Sequence, residues 1–149
     1  MASMIPVALL RVSSEHFVID MCSSPGSKTD QILSMMHESA ISINDDIAHG
    51  ILPTSRVRKA VPAGLLVAND ADPKRIRRLM SRYSRCQSCA LIVTCSRAED
   101  LQVKIGTSYF DRIVCDVPCS GDGTFRKCPH LWRLFRPRTG SHNLNLLIF

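Results

Sequence analysis

Long runs of apolar side chains are missing from this sequence of 149 residues. The apolar stretches are only a few residues long, so we predict no helix that spans a lipid bilayer. A basic segment ahead of the apolar N-terminal residues is also missing, which argues against a secretory signal. We find no internal repeat and no low-complexity segment. A chain of this length has room for one hydrophobic core and not for two ordinary domains.

Regular cysteine spacing is missing as well. The seven cysteines follow no pattern typical of a disulfide framework, and without an export signal they predict reduced thiols in an intracellular protein. Acidic residues are in the minority, because 19 Lys and Arg stand against 13 Asp and Glu, for a net charge of +6. This charge makes polyanions, nucleic acids among them, candidate partners.

Short apolar strands alternate with helical patterns along the chain. We predict strands at residues 16–20, 64–70, 89–94 and 112–116, and helices at residues 25–37 and 72–85. In the second helix Asp72 is the expected N-cap, and an apolar stripe is formed by Ile76, Leu79, Met80 and Tyr83. This alternation predicts an α/β fold with a mostly parallel sheet. The weakly periodic segment 38–63 is predicted to be a long loop or insertion.

Polar side chains follow the predicted strands at their carboxyl ends, where open parallel sheets bind ligands. After Asp20 comes a turn of small residues, 22–28, that enters a helix. Gly26 permits close backbone approach there, and the helix N-terminus offers free N–H groups to a carboxylate or a phosphate. The spacing is not that of a Walker A loop.

Asp70 ends the second predicted strand, one strand–helix unit later. An acid at this place can accept hydrogen bonds from both ribose hydroxyls of a nucleoside. The turn and the acid together therefore predict a site for an adenosine-containing cofactor. The alternative is structural: the turn is a tight connection, and Asp70 is an acid that caps the following helix.

Three stretches carry a family resemblance: DMCSSPGSKT at residues 20–29, ANDAD at 68–72 and DRIVCDVPCSGDGT at 111–124. In order and spacing they resemble the motifs of the Nop/Sun RNA (cytosine-5) methyltransferases, with the tRNA-modifying branch most similar. Residues 3–10 are similar to the helix that precedes the first motif. The resemblance implies a Rossmann-like S-adenosylmethionine-dependent methyltransferase fold, of which this chain holds about four strands. It also implies RNA as the partner, with tRNA the expected class and rRNA the alternative. The nucleus or nucleolus is the expected location, ahead of the cytoplasm and the mitochondrion.

The resemblance also assigns the cofactor site. Asp70 would hold the ribose, and Asp116 would lie beside the methyl donor and the target base. The methionine part would be wrapped by Cys22, Ser23, Ser24, Pro25, Gly26, Ser27 and Lys28. Family members commonly place a further acid near the adenine at the end of the third strand. That acid is displaced or absent here, where the chain reads TCSRAED at residues 94–100, and Glu99 or Asp100 is a weak substitute.

Cytosine C5 needs activation by a thiolate that adds at C6. The family uses two cysteines, and the resemblance gives Cys119, in the Pro-Cys motif, the helper's role in product release. The nucleophile belongs to a later Thr-Cys motif that this sequence does not contain. Cys95 follows a threonine but precedes the Pro-Cys motif, so we expect it to be an ordinary small buried residue. Attack by Cys119 itself, as in cytosine-5 DNA methyltransferases, is a further alternative.

We therefore expect residues 1–149 to form an incomplete methyltransferase domain. The alternative from another class is a catalytically inactive fragment that binds S-adenosylmethionine or RNA.

Two further clusters complete the sequence prediction. The basic residues nearest the third motif are the candidates for RNA phosphates: Arg126, Lys127, Arg133, Arg136 and Arg138. Trp132 could stack on a base or pack under the motif. The basic side chains of helix 72–85 are expected to form a solvated face. We expect no metal, because Cys86 and Cys89 form an isolated pair and Cys89 is predicted to start a buried strand.

Overall fold

A computed structural model describes residues 4–48, 61–86, 88–105, 108–117, 126, 128–130 and 133; within it, only the backbone is described at residues 42–48 and 102–105. The chain divides into two units, Met1–Cys115 and Asp116–Phe149. The helices and strands that the structure describes all belong to the first unit. They follow one another as α1 (Ile5–Leu9), β1 (Phe17–Asp20), α2 (Ser27–Ala48), β2 (Leu65–Asp70), α3 (Pro73–Tyr83), β3 (Leu91–Cys95), α4 (Ala98–Ile105) and β4 (Arg112–Val114).

The four strands form one sheet in the order β3-β2-β1-β4, and every neighbouring pair is parallel. The predicted α/β fold with a mostly parallel sheet is therefore confirmed. In the register of the sheet, Asp20 at the end of β1 pairs with Ala68 of β2 and with Val114 of β4. The carboxyl ends of β1, β2 and β4 consequently lie at the same edge, where such sheets bind ligands.

The main hydrophobic core lies on one face of the sheet. Val18 of β1 and Leu66 of β2 are fully buried there against Ile32 and Met36 of α2 and Val7 of α1. Alternation along a strand sends the next side chains to the opposite face, where Ile19 and Val67 pack with Leu101 of α4. That second face is less fully covered, since Phe17, Ile92 and Ile113 keep about half of their surface exposed.

The structure corrects several sequence predictions in this unit. The helix predicted at 25–37 continues to Ala48, so the first part of segment 38–63 is helical and not a loop; residues 49–60 lie outside the described residues. The third strand is not buried, because β3 lies at an edge of the described sheet, and Cys89 is exposed and precedes it. Cys95, the last residue of β3, is exposed and not buried as predicted. Met80 faces solvent, so the buried stripe of α3 consists of Ile76 and Leu79 with the half-buried Tyr83. Asp72 is the N-cap of α3 as predicted, accepting the Lys74 N–H at 2.7 Å.

Gly64 is required where β2 begins. A Cβ atom at this position would lie 2.1 Å from the backbone oxygen of His16, which no side chain can accept. The Gly64 N–H donates to the backbone oxygen of Ser14 at 2.7 Å. The segments that precede β1 and β2 are therefore in direct backbone contact. Across the described helices, none has the length and apolar character that a membrane span requires.

Candidate functional site

The turn between β1 and α2, residues 21–26 (the β1–α2 turn), is held by backbone and hydroxyl contacts to β2. The Ser23 N–H and the Ser23 hydroxyl both donate to the backbone oxygen of Asn69, at 2.8 and 2.9 Å. The Met21 N–H donates to the Val114 oxygen of β4 at 2.9 Å. The turn is thereby fixed between the ends of β2 and β4, and the N-terminus of α2 opens at the carboxyl edge of the sheet.

Gly26 closes this turn in a conformation that favours glycine. Its φ is +105°, outside the range that other residues readily adopt. A Cβ atom here would lie 2.9 Å from Leu79 Cδ1 and 3.3 Å from Arg82 Cδ. Both the backbone angle and the close approach of α3 therefore require glycine, which leaves the first N–H groups of α2 unshielded by a preceding side chain. The sequence predicted a close approach of the Gly26 backbone to a ligand; the close contact that the structure shows is with α3.

Asp70 lies beside the turn, and this brings together two motifs that are 46 residues apart in the chain. Its Oδ2 atom accepts the Ser24 N–H at 3.3 Å, and its Oδ1 atom accepts the Asp72 N–H at 3.1 Å. The carboxylate is almost fully buried. The N-cap of α3 is Asp72, so the alternative interpretation of Asp70 as the capping acid is wrong.

Arg75, in the first turn of α3, joins the acid to the turn. Its Nη2 atom donates to the Ser24 oxygen at 2.6 Å and lies 3.3 Å from Asp70 Oδ2. The Ser24 hydroxyl in turn donates to the backbone oxygen of Arg75 at 3.4 Å. The sequence placed Arg75 on a solvated face, and this prediction was wrong for Arg75, because a helix pattern does not show which basic side chains will find a carboxylate.

Asn69 is the central polar residue of the site, and sequence reasoning missed its role. Its side-chain Nδ2 donates to the Met21 and Ser96 oxygens at 3.0 and 2.9 Å. Its Oδ1 accepts from the Thr94 hydroxyl and the Ser96 N–H, both at 3.0 Å. Asn69 is fully buried and ties the ends of β1, β2 and β3 together. Two signals were available: Asn69 is a polar residue next to Asp70 in a mostly apolar strand, and it belongs to the second motif at residues 68–72.

Cys22 lies in the β1–α2 turn as a half-buried thiol without a disulfide. Burial, followed by the nearby Cys115, Asp70 and Asp20, raises the pKa of Cys22 to about 11. Because only a thiolate is a strong nucleophile, Cys22 stays a neutral thiol near pH 7 and suits a binding turn, not covalent catalysis. Asp20 is fully buried at the end of β1 and accepts the Thr29 hydroxyl at 2.8 Å.

The structure describes the remaining predicted residues only in part. Asp116 is exposed and belongs to the second unit, as do the exposed Arg126 and Arg133. Glu99 is paired at the surface with Arg97, at 3.0 Å. Pro25 and Ser27 are exposed, and Lys28 is half-buried. Outside the described residues lie Cys119, Lys127, Trp132, Arg136 and Arg138.

No group of three or more His, Cys, Asp or Glu side chains in the described ranges could hold a metal ion.

The family model described as 16S rRNA methyltransferase RsmB/F matches residues 52–140, more than half of the chain. The chain belongs to this family. The RsmB/F family comprises RNA cytosine-5 methyltransferases that use S-adenosylmethionine, so the family predicted from the three motifs is confirmed.

Two curated relatives are similar over most of the chain. The multisite-specific tRNA:(cytosine-C(5))-methyltransferase trm4b of Schizosaccharomyces pombe is 41% identical, over 88% of this chain and 20% of the relative. The multisite-specific tRNA:(cytosine-C(5))-methyltransferase of Saccharomyces cerevisiae is 36% identical, over 93% of this chain and 19% of the relative. The chain thus spans about a fifth of their length.

A solved structure shares the fold. The crystal structure of NSun6 from Pyrococcus horikoshii with SFG matches with a TM-score of 0.69 and 20% identity, over 97% of this chain and 30% of that one. This RsmB/F family member therefore shares its α/β fold with that solved structure.

Proposed function

We propose that this chain supplies the S-adenosylmethionine-binding part of an enzyme that methylates C5 of cytosine in RNA, with tRNA as the substrate class. The observation that carries the proposal is the contact between the Ser24 N–H and Asp70 Oδ2 at 3.3 Å. It brings the glycine turn of the first motif against the acid of the second motif, in a chain that belongs to an RNA methyltransferase family.

The residues of the first unit fit the cofactor. Gly26 leaves a surface with no side chain at the N-terminus of α2, where the first N–H groups and the positive end of the helix dipole favour a carboxylate. Asp70 supplies carboxylate oxygens at the neighbouring strand end, where ribose hydroxyls can donate to them. We assign the methionine part to residues 22–28 and the ribose to Asp70.

The bound cofactor would supply an electrophilic methyl group on a sulfonium sulfur. The chain's own part is to bind and orient, and the contacts of Arg75 and Asn69 keep the turn and the acid in register before the ligand arrives. We also propose that Asp116 faces the methyl donor and the target base, and that Cys119 assists release of the product. An intracellular location, in the nucleus or nucleolus, belongs to the same proposal.

Replacing Asp70 with alanine is expected to weaken S-adenosylmethionine binding by about tenfold or more, because lost ribose hydrogen bonds cost on the order of 1.4 kcal/mol. Titration calorimetry on the folded chain measures the effect. Asp72→Asn is the matched control: it changes an acid two residues away and keeps a good N-cap. Equal affinities of the wild type and Asp70→Ala would remove the ribose role.

The RNA part of the proposal is tested by salt dependence. Arg126 and Arg133 are exposed in the second unit. The plot of log K against log salt has a negative slope when a protein binds phosphates. If each arginine contacts a phosphate, replacing either with glutamine should make this slope shallower by about one unit. Fluorescence anisotropy with tRNA between low and high salt measures the slope, with Arg97→Gln as the control. Unchanged slopes would exclude these two residues and move the binding surface to the exposed arginines of α3.

A further inference from the structure

Helix α3 packs directly against the β1–α2 turn through one of its faces. Leu79, Arg82 and Tyr83 follow the spacing i, i+3, i+4 and so share that face. All three approach the position that a Cβ atom of Gly26 would take, at 2.9 Å from Leu79, 3.3 Å from Arg82 and 3.5 Å from the Tyr83 hydroxyl. The turn is therefore in van der Waals contact with the helix that follows the second motif.

A polar layer completes this contact. The Tyr83 hydroxyl lies 3.2 Å from the Gly26 oxygen and donates to Asp30 Oδ1, while Asp30 Oδ2 accepts from Arg82. A phenol has one proton to donate, so the Gly26 oxygen and the charged carboxylate share it. Burial and the hydrogen bond to Asp30 raise the pKa of Tyr83 above its usual range, so the hydroxyl keeps that proton.

The Gly26 carbonyl sets the direction of the first N–H group of α2. The Gly26–Ser27 peptide is planar and trans, so its carbonyl and the Ser27 N–H point in opposite directions. The carbonyl is held from within the helix by the Asp30 N–H at 2.8 Å and from α3 by Tyr83. Holding the carbonyl therefore aims the Ser27 N–H out of the helix end, toward the ligand side.

We infer that Tyr83, supported by Asp30, is a positioning residue that aims the N–H groups of the β1–α2 turn and the start of α2 at the amino-acid part of the cofactor. The inference rests on the proposed function and extends it. Tyr83 does not touch the cofactor; it acts through the Gly26–Ser27 peptide. Its effect is therefore confined to ligands that carry the methionine carboxylate.

The test compares two ligands on the whole chain. S-adenosylhomocysteine carries the amino-acid part, and 5′-methylthioadenosine keeps only the nucleoside and its thioether. Tyr83→Phe removes the hydroxyl and leaves the ring in its packing. We expect the mutant to bind S-adenosylhomocysteine about fivefold more weakly, the size of one lost hydrogen bond, and to bind methylthioadenosine within about twofold of the wild type.

A control variant separates positioning from general loosening. Arg78→Gln changes an exposed residue of the same helix and should leave both affinities unchanged.

Three outcomes would overturn the inference. Equal weakening for both ligands in Tyr83→Phe, or unchanged binding of both, would overturn the positioning role alone. A wild-type chain that binds neither ligand would overturn the proposed function together with it.

Discussion

A polypeptide of these 149 residues is expected to bind S-adenosylmethionine without methylating RNA. Cytosine C5 is a weak nucleophile, and a thiolate that adds at C6 is needed to make it reactive. In the family that the sequence resembles, this thiolate comes from a Thr-Cys pair beyond the Pro-Cys motif, and residues 120–149 contain no such pair. Without a nucleophile we expect turnover to be roughly 10⁶-fold lower than that of a family enzyme that carries the Thr-Cys pair. This is the size of the effect of removing the nucleophile from a covalent enzyme.

The measurement uses tritiated S-adenosylmethionine and unmodified tRNA, with label counted in cytosine. Soluble chain that binds cofactor and transfers no label is the expected result. Label that disappears in Cys119→Ala would contradict this and make Cys119 the nucleophile. Label that disappears only in Cys95→Ala would identify the exposed thiol at the end of β3 as the nucleophile. Cys86→Ala, at another exposed cysteine, is the matched control.

The parts of the fold that depend on local pattern could be predicted from the sequence. The strands could be predicted from their short runs of β-branched and aliphatic residues. The N-cap at Asp72 could also be predicted, because it too follows from short-range spacing. The contact between the glycine turn and Asp70 was also predictable, because consecutive parallel strands place their carboxyl ends at one edge. The structure adds the distance of 3.3 Å between Ser24 N and Asp70 Oδ2.

The parts that depend on long-range contacts could not be predicted. Nothing local shows that β3 lies at an edge of the described sheet, since strand order is decided by the whole sheet. In the sequence, Tyr83 is one more residue of the apolar stripe of α3. Only the fold shows that its hydroxyl bonds to Gly26 and Asp30. Asn69 is the strongest case: its four hydrogen bonds reach the β1–α2 turn and the end of β3, and no pattern within β2 indicates them.

Replacing Asn69 with alanine is expected to destabilise the chain by roughly 3–5 kcal/mol. The change removes the hydrogen-bond partner of four part-buried polar groups, at Met21, Thr94 and Ser96, and each lost bond costs about 1 kcal/mol. Domains of this size are stable by about 5–15 kcal/mol, so the loss takes a large share of the total. Urea unfolding followed by circular dichroism measures it as a lower midpoint.

A graded series makes the role of Asn69 testable even if Asn69→Ala fails to fold. Thr94→Val removes one hydrogen bond to Asn69 Oδ1 and keeps the side-chain shape, so we expect a loss of about 1 kcal/mol. Ser81→Ala changes an exposed residue of α3 and should leave the unfolding midpoint in place. The orientation of the amide supports the series, because Nδ2 faces two carbonyl oxygens while Oδ1 faces a hydroxyl and an N–H. If Asn69→Ala unfolds at the same urea concentration as Thr94→Val, the amide does not hold the three strand ends together, and the turn must be fixed by its contacts to Asp70 and α3.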